Sequence, residues 1–263
     1  MIEKTANSLR THSNLLKADE STSKALNRIA SGKRINSASD DPAGLAVAMA
    51  MESQNRGLLM QIANRQDEIS LMQTAEGALG STNDMLQRMN ELSVQAANGT
   101  LTDADREAIQ LEVDQIRQQI DQTANNTNYN TKPLLDGSLD IQLQNGQQFS
   151  IPAMNSSALG VDQADLSTQS GASQAIGQVT QAINQVTSQR STIGAIQNRI
   201  ASEISSLRTE LINTTAAQSR IEDADMAMEI INMYRSELQS KAAIKAFKMQ
   251  DENRTAVLGL LSD

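Results

Sequence analysis

Few residues in this sequence have side chains that could perform acid–base, phosphate or metal chemistry. His12 is the single histidine, and a lone imidazole cannot form a metal site, so we interpret it as a surface or interface residue. Gly32-Lys33 resembles the end of a phosphate-binding loop, but position 27 is Asn where that loop requires Gly. Neither feature therefore indicates a nucleotide or metal site.

Two acidic groups are explained better by helix structure than by catalysis. Asp40-Asp41 could supply a general acid and base, but the Pro42 that follows indicates a helix start, because an Asp N-cap and a first-turn Pro suit it. Asp103, Asp105 and Glu107 alternate as calcium ligands do, without the Gly and closing Glu of a calcium loop. The sequence predicts no catalytic, cofactor or metal site, and we therefore expect that the protein is not an enzyme.

The composition favours long, slender helices. Aromatic residues make up 2% of the 263 residues, and the three prolines leave long proline-free stretches on both sides of the middle. The absence of cysteine excludes disulfides and thiolate sites. The net charge of −9 and the lack of a basic stripe argue against a nucleic-acid partner. No apolar run approaches the roughly 20 residues of a membrane span, and no secretory signal peptide is visible.

Heptad-like apolar spacing predicts most of the helices. Residues 5–39 are polar with sparse apolar positions, which predicts a weak helix that needs a partner face. A helix over about 42–97, a third beginning at Thr102 and a fourth beginning near Ala172 have three/four spacing typical of a supercoiled seam. The predicted seams contain Ile62, Ile69, Met72, Leu79, Leu86, Ile109, Val113, Ile116, Ile120, Ile176, Val179, Ile183, Val186, Ile193, Ile196, Ile200, Ile204, Leu207 and Leu211. A last helix is predicted over about 226–247.

The middle of the chain changes character. Ile141 and Leu143 alternate with glutamines, Asn145-Gly146 suits a type I′ turn, and Phe149 and Ile151 alternate on the return, so residues 140–151 predict a β-hairpin. Residues 152–170 are rich in Ser, Ala and Gln and predict a loop. The predicted fold is mainly α: a long antiparallel helical coiled-coil bundle with one β-hairpin, in which the N- and C-terminal arms pack together.

Five motifs in the two arms resemble bacterial flagellins. They are ASGKRIN at 30–36, DDPAGLA at 40–46, ISLMQTAEGAL at 69–79, LQRMNELSVQA at 86–96 and SRIEDADMAME at 219–229. The resemblance covers most of residues 5–130 and 172–235. It implies a short flagellin whose ends, 1–40 and 225–263, form an inner-tube domain called D0. Residues 41–224 would form the coiled-coil domain D1 with its hairpin, and the outer domains D2 and D3 would be missing.

The resemblance implies a structural subunit of the bacterial flagellar filament. Its partners would be copies of itself, hook-associated and cap proteins and an export chaperone. The subunit would leave the cell through the flagellar type III export system and reside outside it, which agrees with the missing signal peptide. The alternative is a hook–filament junction protein, which shares the D0/D1 plan. A cytosolic coiled-coil adaptor is a third class that the periodicity alone leaves open.

Two sets of residues are candidate contact sites. The resemblance implies that a polar helix face contacts the next subunit and the host receptor TLR5. That face comprises Gln87, Arg88, Glu91, Leu92 and Glu112. The terminal arms contain apolar residues that we expect to make polymer contacts. These are Leu9, Leu16, Leu26, Ile29, Ile230, Tyr234, Leu238, Val257, Leu258, Leu260 and Leu261. We expect the outer ends to become ordered only in the polymer.

Overall fold

The computed structural model describes residues 2–142, 146 and 148–262, with side chains over 7–142, at 146, over 148–252 and at 255. The helices in that part of the chain are α1 (Ile2–Ser31), α2 (Pro42–Ala96), α3 (Asp103–Asn126), α4 (Gln169–Glu222) and α5 (Met226–Ser262). The strands are β1 (Asn128–Tyr129), β2 (Lys132–Pro133), β3 (Asp140–Gln142) and β4 (Gln148–Ser150). The mainly helical fold predicted from the sequence is confirmed.

The chain divides into two compact units. Unit 1 contains Met1–Leu59 and Arg208–Asp263, and unit 2 contains Met60–Leu207. Each unit therefore combines residues from both halves of the chain.

In unit 1, α1 and α5 pack against each other as an antiparallel pair. Arg28 pairs with Glu229, and the Ser240 hydroxyl donates to Asp19 at 2.9 Å, so the two helices run in opposite directions. The least exposed positions follow a three/four heptad pattern on each helix. They are Thr11, Leu15, Ala18, Thr22, Ala25 and Ile29 on α1, and Glu229, Met233, Ser236, Ser240 and Ala243 on α5. This seam, which we call the small-residue seam, consists mostly of short side chains.

The face of the first helix that meets its partner helix does not contain the leucines Leu9 and Leu16. Leu9 and Leu16 are 67% and 57% exposed, because they lie on the side of α1 away from the small-residue seam. The last helix also departs from its predicted end near Phe247, since α5 continues to Ser262. No proline interrupts that stretch, and the polarity of its residues does not prevent helix formation.

In unit 2, most residues of the predicted apolar seams are buried, whereas six are partly exposed: Ile69, Ile116, Ile176, Ile183, Ile196 and Leu207. Met72, Leu79, Leu86, Val113, Ile120, Val179, Val186, Ile193 and Ile200 are each at most 1% exposed. Arg65 of α2 pairs with Glu203 of α4 at 2.8 Å, and Glu76 pairs with Arg190 at 3.6 Å. The pairing numbers rise on α2 and fall on α4, so the two helices are antiparallel. Arg190, which interrupts the apolar seam in the sequence, therefore forms an ion pair.

The turn from α2 to α3 is held by a cap and a buried arginine. Thr102 and Asp105 form the capping box that begins α3, as the sequence predicts. Arg106, which is buried, donates from Nε to the Ala96 carbonyl at 3.0 Å and from a terminal nitrogen to the Asn98 carbonyl at 3.0 Å. The guanidinium satisfies carbonyls at and beyond the end of α2, where its helix dipole favours a cation.

The predicted hairpin is present, and a second short ladder precedes it. β3 and β4 pair antiparallel with Ile141 opposite Phe149, while Leu143 and Asn145 of the predicted hairpin lie outside the described residues. The sequence did not predict the pair β1–β2, whose connecting residues Asn130 and Thr131 have positive φ. Two-residue strands are too short to produce an alternation pattern.

The segment after the hairpin is a loop, as predicted, and α3 holds it in place. The Ser156 amide and hydroxyl donate to the two carboxylate oxygens of Asp121 at 2.8 and 2.9 Å. Arg117 donates to the Asp162 carbonyl at 2.6 Å, and Gln110 accepts the Leu166 amide at 2.7 Å. α4 begins at Gln169, three residues before Ala172, because Thr168 caps it by accepting the Gly171 amide.

The packing around the N-terminus of α2 leaves no room for a side chain at Gly44. Asp41 caps the helix by accepting the Gly44 amide at 2.9 Å, as the Asp-Asp-Pro sequence predicts. A Cβ at Gly44 would lie 2.4 Å from Asp41 Oδ2 and 2.7 Å from Ile35 Cδ1. Gly44→Ala is expected to destabilise unit 1 by about 1–3 kcal/mol through overpacking and damage to the cap.

The matched control is Gly57→Ala in the same helix, where an added Cβ meets nothing within 4 Å. It should be neutral or stabilise by up to about 1 kcal/mol, since alanine is the better helix former. Thermal unfolding followed by circular dichroism would measure both variants. Equal melting curves for the two would show that the space around Gly44 is not restricted.

Candidate functional site

Three surfaces are candidate functional sites: the joint between the arms in unit 1, the outward faces of α1 and α5, and a polar cluster in unit 2. We call the first surface the elbow. It consists of Arg28, Lys33, Arg34, Asp40, Gln218, Glu222, Asp223 and Glu229. Its backbone contact is a short antiparallel bridge between Lys33 and Asp223. The Arg34 amide donates to the Glu222 carbonyl at 2.6 Å, and the Ala224 amide donates to the Gly32 carbonyl at 3.0 Å.

Ion pairs reinforce the elbow. Lys33 forms a short hydrogen-bonded pair with Glu222, which also accepts from Gln218 at 3.1 Å. Arg28 lies 3.3 Å from Glu229 and 3.9 Å from Asp40. The hydrogen bond from Lys33 lowers the pKa of Glu222 and raises that of Lys33. Backbone and hydroxyl hydrogen bonds from residues 36 and 37 lower the pKa of Asp40. The hydrogen bonds of the elbow therefore favour the charged forms of Lys33, Asp40 and Glu222.

The sequence motifs around the elbow were recognised, but their contact was not predicted. The segments 30–36 and 219–229 lie more than 180 residues apart in the chain, and neither has an apolar period that would indicate pairing. The visible signal is opposite charge, with Lys33 and Arg34 in one segment and Glu222 and Asp223 in the other. Charge alone does not identify a partner among the 31 acidic residues.

The outward faces of α1 and α5 expose large apolar side chains. On α5, Tyr234 and Leu238 are 58% and 66% exposed and line a shallow apolar groove together with Ile231 and Ala242. Ile230 is exposed as well, and on α1 Leu9, Leu16 and Leu26 are exposed whereas Ile29 is partly buried in the small-residue seam. The side chains of Val257, Leu258, Leu260 and Leu261 lie outside the described residues. The described leucines and tyrosine are thus available to a partner.

The polar cluster in unit 2 links α2 to α3. Arg88 donates from Nε and a terminal nitrogen to Glu112 at 3.0 and 2.8 Å, and to Glu91 at 3.1 Å. These hydrogen bonds raise the pKa of Arg88. Gln87 is exposed beside it, but Leu92 is 2% exposed and belongs to the core rather than to this surface. Four of the five candidate residues therefore lie on the accessible face.

The described residues contain no group of three or more His, Cys, Asp and Glu side chains that could hold a metal ion. His12 is exposed on α1. Among the helices of this part of the chain, none is long and apolar enough to cross a membrane.

Comparisons with known proteins agree with this geometry. The model of the bacterial flagellin N-terminal helical region matches residues 2–140, and that of the C-terminal helical region matches residues 176–261. A flagellin of Halalkalibacterium halodurans is 38% identical, covering 90% of this chain and 91% of its own. The Bacillus subtilis flagellin is 37% identical over 96% of this chain and 97% of its own. A flagellar filament core protein of Brachyspira hyodysenteriae is 34% identical over 91% and 92%.

Solved structures resemble the fold. The Bacillus cereus flagellin crystal structure has a TM-score of 0.50 and 30% identity, and the match covers 59% of this chain and 94% of that one. A structure described as a flagellar hook-associated protein of Vibrio parahaemolyticus has a TM-score of 0.60, covering 70% of this chain and all of the other. Its 15% identity supports a shared fold only. The sequence relationships thus favour flagellin over the junction-protein alternative.

Paired helical arms that expose apolar faces are typical of a structural protein that assembles with other subunits. The family matches specify which one. The chain belongs to the bacterial flagellin family. It is a structural subunit of the flagellar filament and not an enzyme.

The pKa of Glu222 predicts how pH affects the elbow. Because this pKa is lower in the folded chain than its ordinary value of 4.5, the stabilisation is complete above that value and is lost as the pH falls through the lowered one. Glu222→Gln removes this dependence. Between about pH 6 and pH 3, the melting temperature of the wild-type protein should therefore fall further than that of Glu222→Gln.

The control for this experiment is Glu252→Gln, which changes an exposed carboxylate on α5 outside the elbow. Its pH dependence should match that of the wild type. The assignment fails if the Glu222→Gln and wild-type melting temperatures decline in parallel as the pH falls.

Proposed function

We propose that the outward faces of α1 and α5 are the surfaces through which copies of this chain polymerise. The observation that carries the proposal is the inverted arrangement of unit 1. Mostly short side chains fill the contact within the chain, together with Leu15, Ile29 and Met233. Four larger side chains point away from it: Leu9, Leu16, Tyr234 and Leu238. Contiguous exposed apolar surface of this kind marks protein interaction sites. Head-to-tail contact between different faces gives an open helical polymer instead of a closed oligomer.

The distribution of charge supports the same assignment. Unit 1 contains fifteen Lys and Arg and fifteen Asp and Glu residues, whereas unit 2 contains seven and sixteen. The whole net charge of −9 therefore belongs to unit 2. Copies of a neutral unit can crowd together without net repulsion, and an acidic unit keeps a large assembly soluble. The arms are thus the part of the chain best suited to close packing in a polymer.

The domain boundaries and the remaining partners belong to the same proposal. Residues 1–40 and 225–263 would form D0 and residues 41–224 would form D1. Hook-associated and cap proteins would meet the ends of the filament, and an export chaperone would cover the C-terminal arm before assembly. Export through the flagellar type III system would place the subunit outside the cell. The support for these partners is membership of the flagellin family.

Polymerisation through α5 is tested by Leu238→Ser. The side chain is two-thirds exposed, so folding stability should change by no more than about 0.5 kcal/mol. Burying a leucine contributes about 1.5–3 kcal/mol. The monomer concentration in equilibrium with polymer should therefore rise roughly ten- to hundredfold, measured by sedimentation after seeding.

Leu238→Met is the control, since it retains an apolar side chain of similar volume and should assemble normally. A truncation lacking residues 235–263 should remain a monomer while residues 42–215 stay helical. Filaments of that truncation in the electron microscope, or normal seeding of Leu238→Ser, would contradict the proposed interface.

A second surface carries a separate proposal, namely that Gln87, Arg88, Glu91 and Glu112 contact the host receptor TLR5 and the next subunit. The supporting observation is an accessible charged face in which Arg88 is 52% exposed despite its two carboxylate partners. Exposed pairs contribute about 0–1 kcal/mol to stability, so a partner can exchange them at little cost. Leu92 supports this face from the core.

Arg88→Ala tests the receptor contact in reporter cells that receive monomeric protein. We expect a response to the wild type and at least a tenfold weaker response to the variant, because a charge-assisted contact contributes about 1.5–3 kcal/mol. Gln174→Ala, an exposed change on α4, should respond as the wild type does. No response to micromolar wild-type protein, or equal responses to wild type and Arg88→Ala, would refute the contact.

A further inference from the structure

The turn between α2 and α3 contains an asparagine whose side-chain carbonyl is unusually well supplied with donors. Asn98 lies two residues beyond the end of α2 and is exposed. Its Oδ1 accepts hydrogen bonds from both the amide and the hydroxyl of Thr100, each at 3.1 Å. Two donors on one amide oxygen withdraw electron density from Cγ. They also occupy the positions that would stabilise negative charge if that carbon were attacked.

The nucleophile that could attack this carbon is the next backbone nitrogen. Gly99 follows Asn98 directly, and in the described part of the chain its amide N–H makes no hydrogen bond. Gly99 is exposed to water, which can accept the amide proton, and it has no side chain to shield the nitrogen. A carbonyl polarised by two donors therefore lies next to an unengaged amide nitrogen within the same chain.

We propose that the Asn98-Gly99-Thr100 turn is a site of intramolecular acyl transfer that converts Asn98 to aspartate and isoaspartate. The Gly99 nitrogen forms a bond to Asn98 Cγ and loses its proton to water. The Cγ–Nδ2 bond breaks, and the amide nitrogen leaves as ammonia after taking up a proton. Water then opens the resulting cyclic imide at one of its two carbonyls. One opening gives Asp and the other gives isoaspartate, and no oxidant or reductant is needed.

In this mechanism, Thr100 provides both donors to the oxygen that becomes negatively charged in the tetrahedral intermediate. Proximity also raises the rate, because the reacting nitrogen and carbon belong to adjacent residues and the reaction is intramolecular. The product has a new carboxylate at the end of α2. Arg106, which already donates to the Asn98 carbonyl, is the cation that the structure places beside it. The isoaspartate product also lengthens the backbone of this turn by one carbon atom.

The test measures ammonia loss at residue 98 in the full-length protein by peptide mass spectrometry and isoaspartate labelling. The folded wild type should react faster at residue 98 than the same chain in urea. Thr100→Val removes the hydroxyl donor at nearly constant size. The reaction should slow about three- to tenfold, because losing one neutral hydrogen bond raises the activation barrier by about 1 kcal/mol. Circular dichroism checks that each variant is folded.

Two comparisons make the result specific. The second Asn-Gly pair, Asn145-Gly146, is followed by Gln147, and its rate should not change in Thr100→Val. Gly99→Ala should slow the reaction by shielding the nitrogen, and its Cβ would lie 3.4 Å from Gln169 Nε2, an ordinary contact that leaves the fold intact. The proposal is overturned if residue 98 reacts no faster in the folded chain than in urea. It is also overturned if Thr100→Val slows residues 98 and 145 equally or slows neither.

Discussion

The small-residue seam between α1 and α5 is the constraint on which the function of this chain depends. Ala18, Ala25 and Ser236 lie in this seam, and several large apolar side chains, among them Leu16 and Leu238, lie on the opposite sides of the two helices. In an isolated globular protein the arrangement would be the reverse, because burying each leucine contributes about 1.5–3 kcal/mol. Burial of these exposed side chains against another molecule would therefore add hydrophobic stabilisation that the single chain lacks.

The elbow fixes the relative position of α1 and α5 at one end of the helix pair. Backbone hydrogen bonds join residues 32–34 to residues 222–224, and the ion pairs of Lys33 and Arg28 close around them. Few other polar contacts connect α1 with α5, so the antiparallel register depends on the elbow together with the heptad spacing of the seam. The same region contains the cap of α2, in which Gly44 leaves room for Asp41 and Ile35. Motifs that lie far apart in the sequence are thus close together at the elbow.

The sequence predicted the elements well because their signals are local and repeated. The α2, α3 and α4 seams have apolar residues every three or four positions, and Asp41 and Thr102 mark the starts of α2 and α3. The seam between α1 and α5 was not predicted, since a seam composed mainly of Ala, Ser and Thr has almost no apolar contrast. The pairing of Lys33 with Glu222 and the burial of Arg106 depend on tertiary packing that no local pattern records.

The most direct test of the central claim is a cryo-electron microscopy structure of the assembled filament. We predict that the side chains of Leu9, Leu16, Tyr234 and Leu238 are buried against neighbouring subunits, while Ala18, Ala25 and Ser236 remain in contact within one chain. A filament in which those four large side chains face water, or in which the subunits touch only through unit 2, would contradict the account.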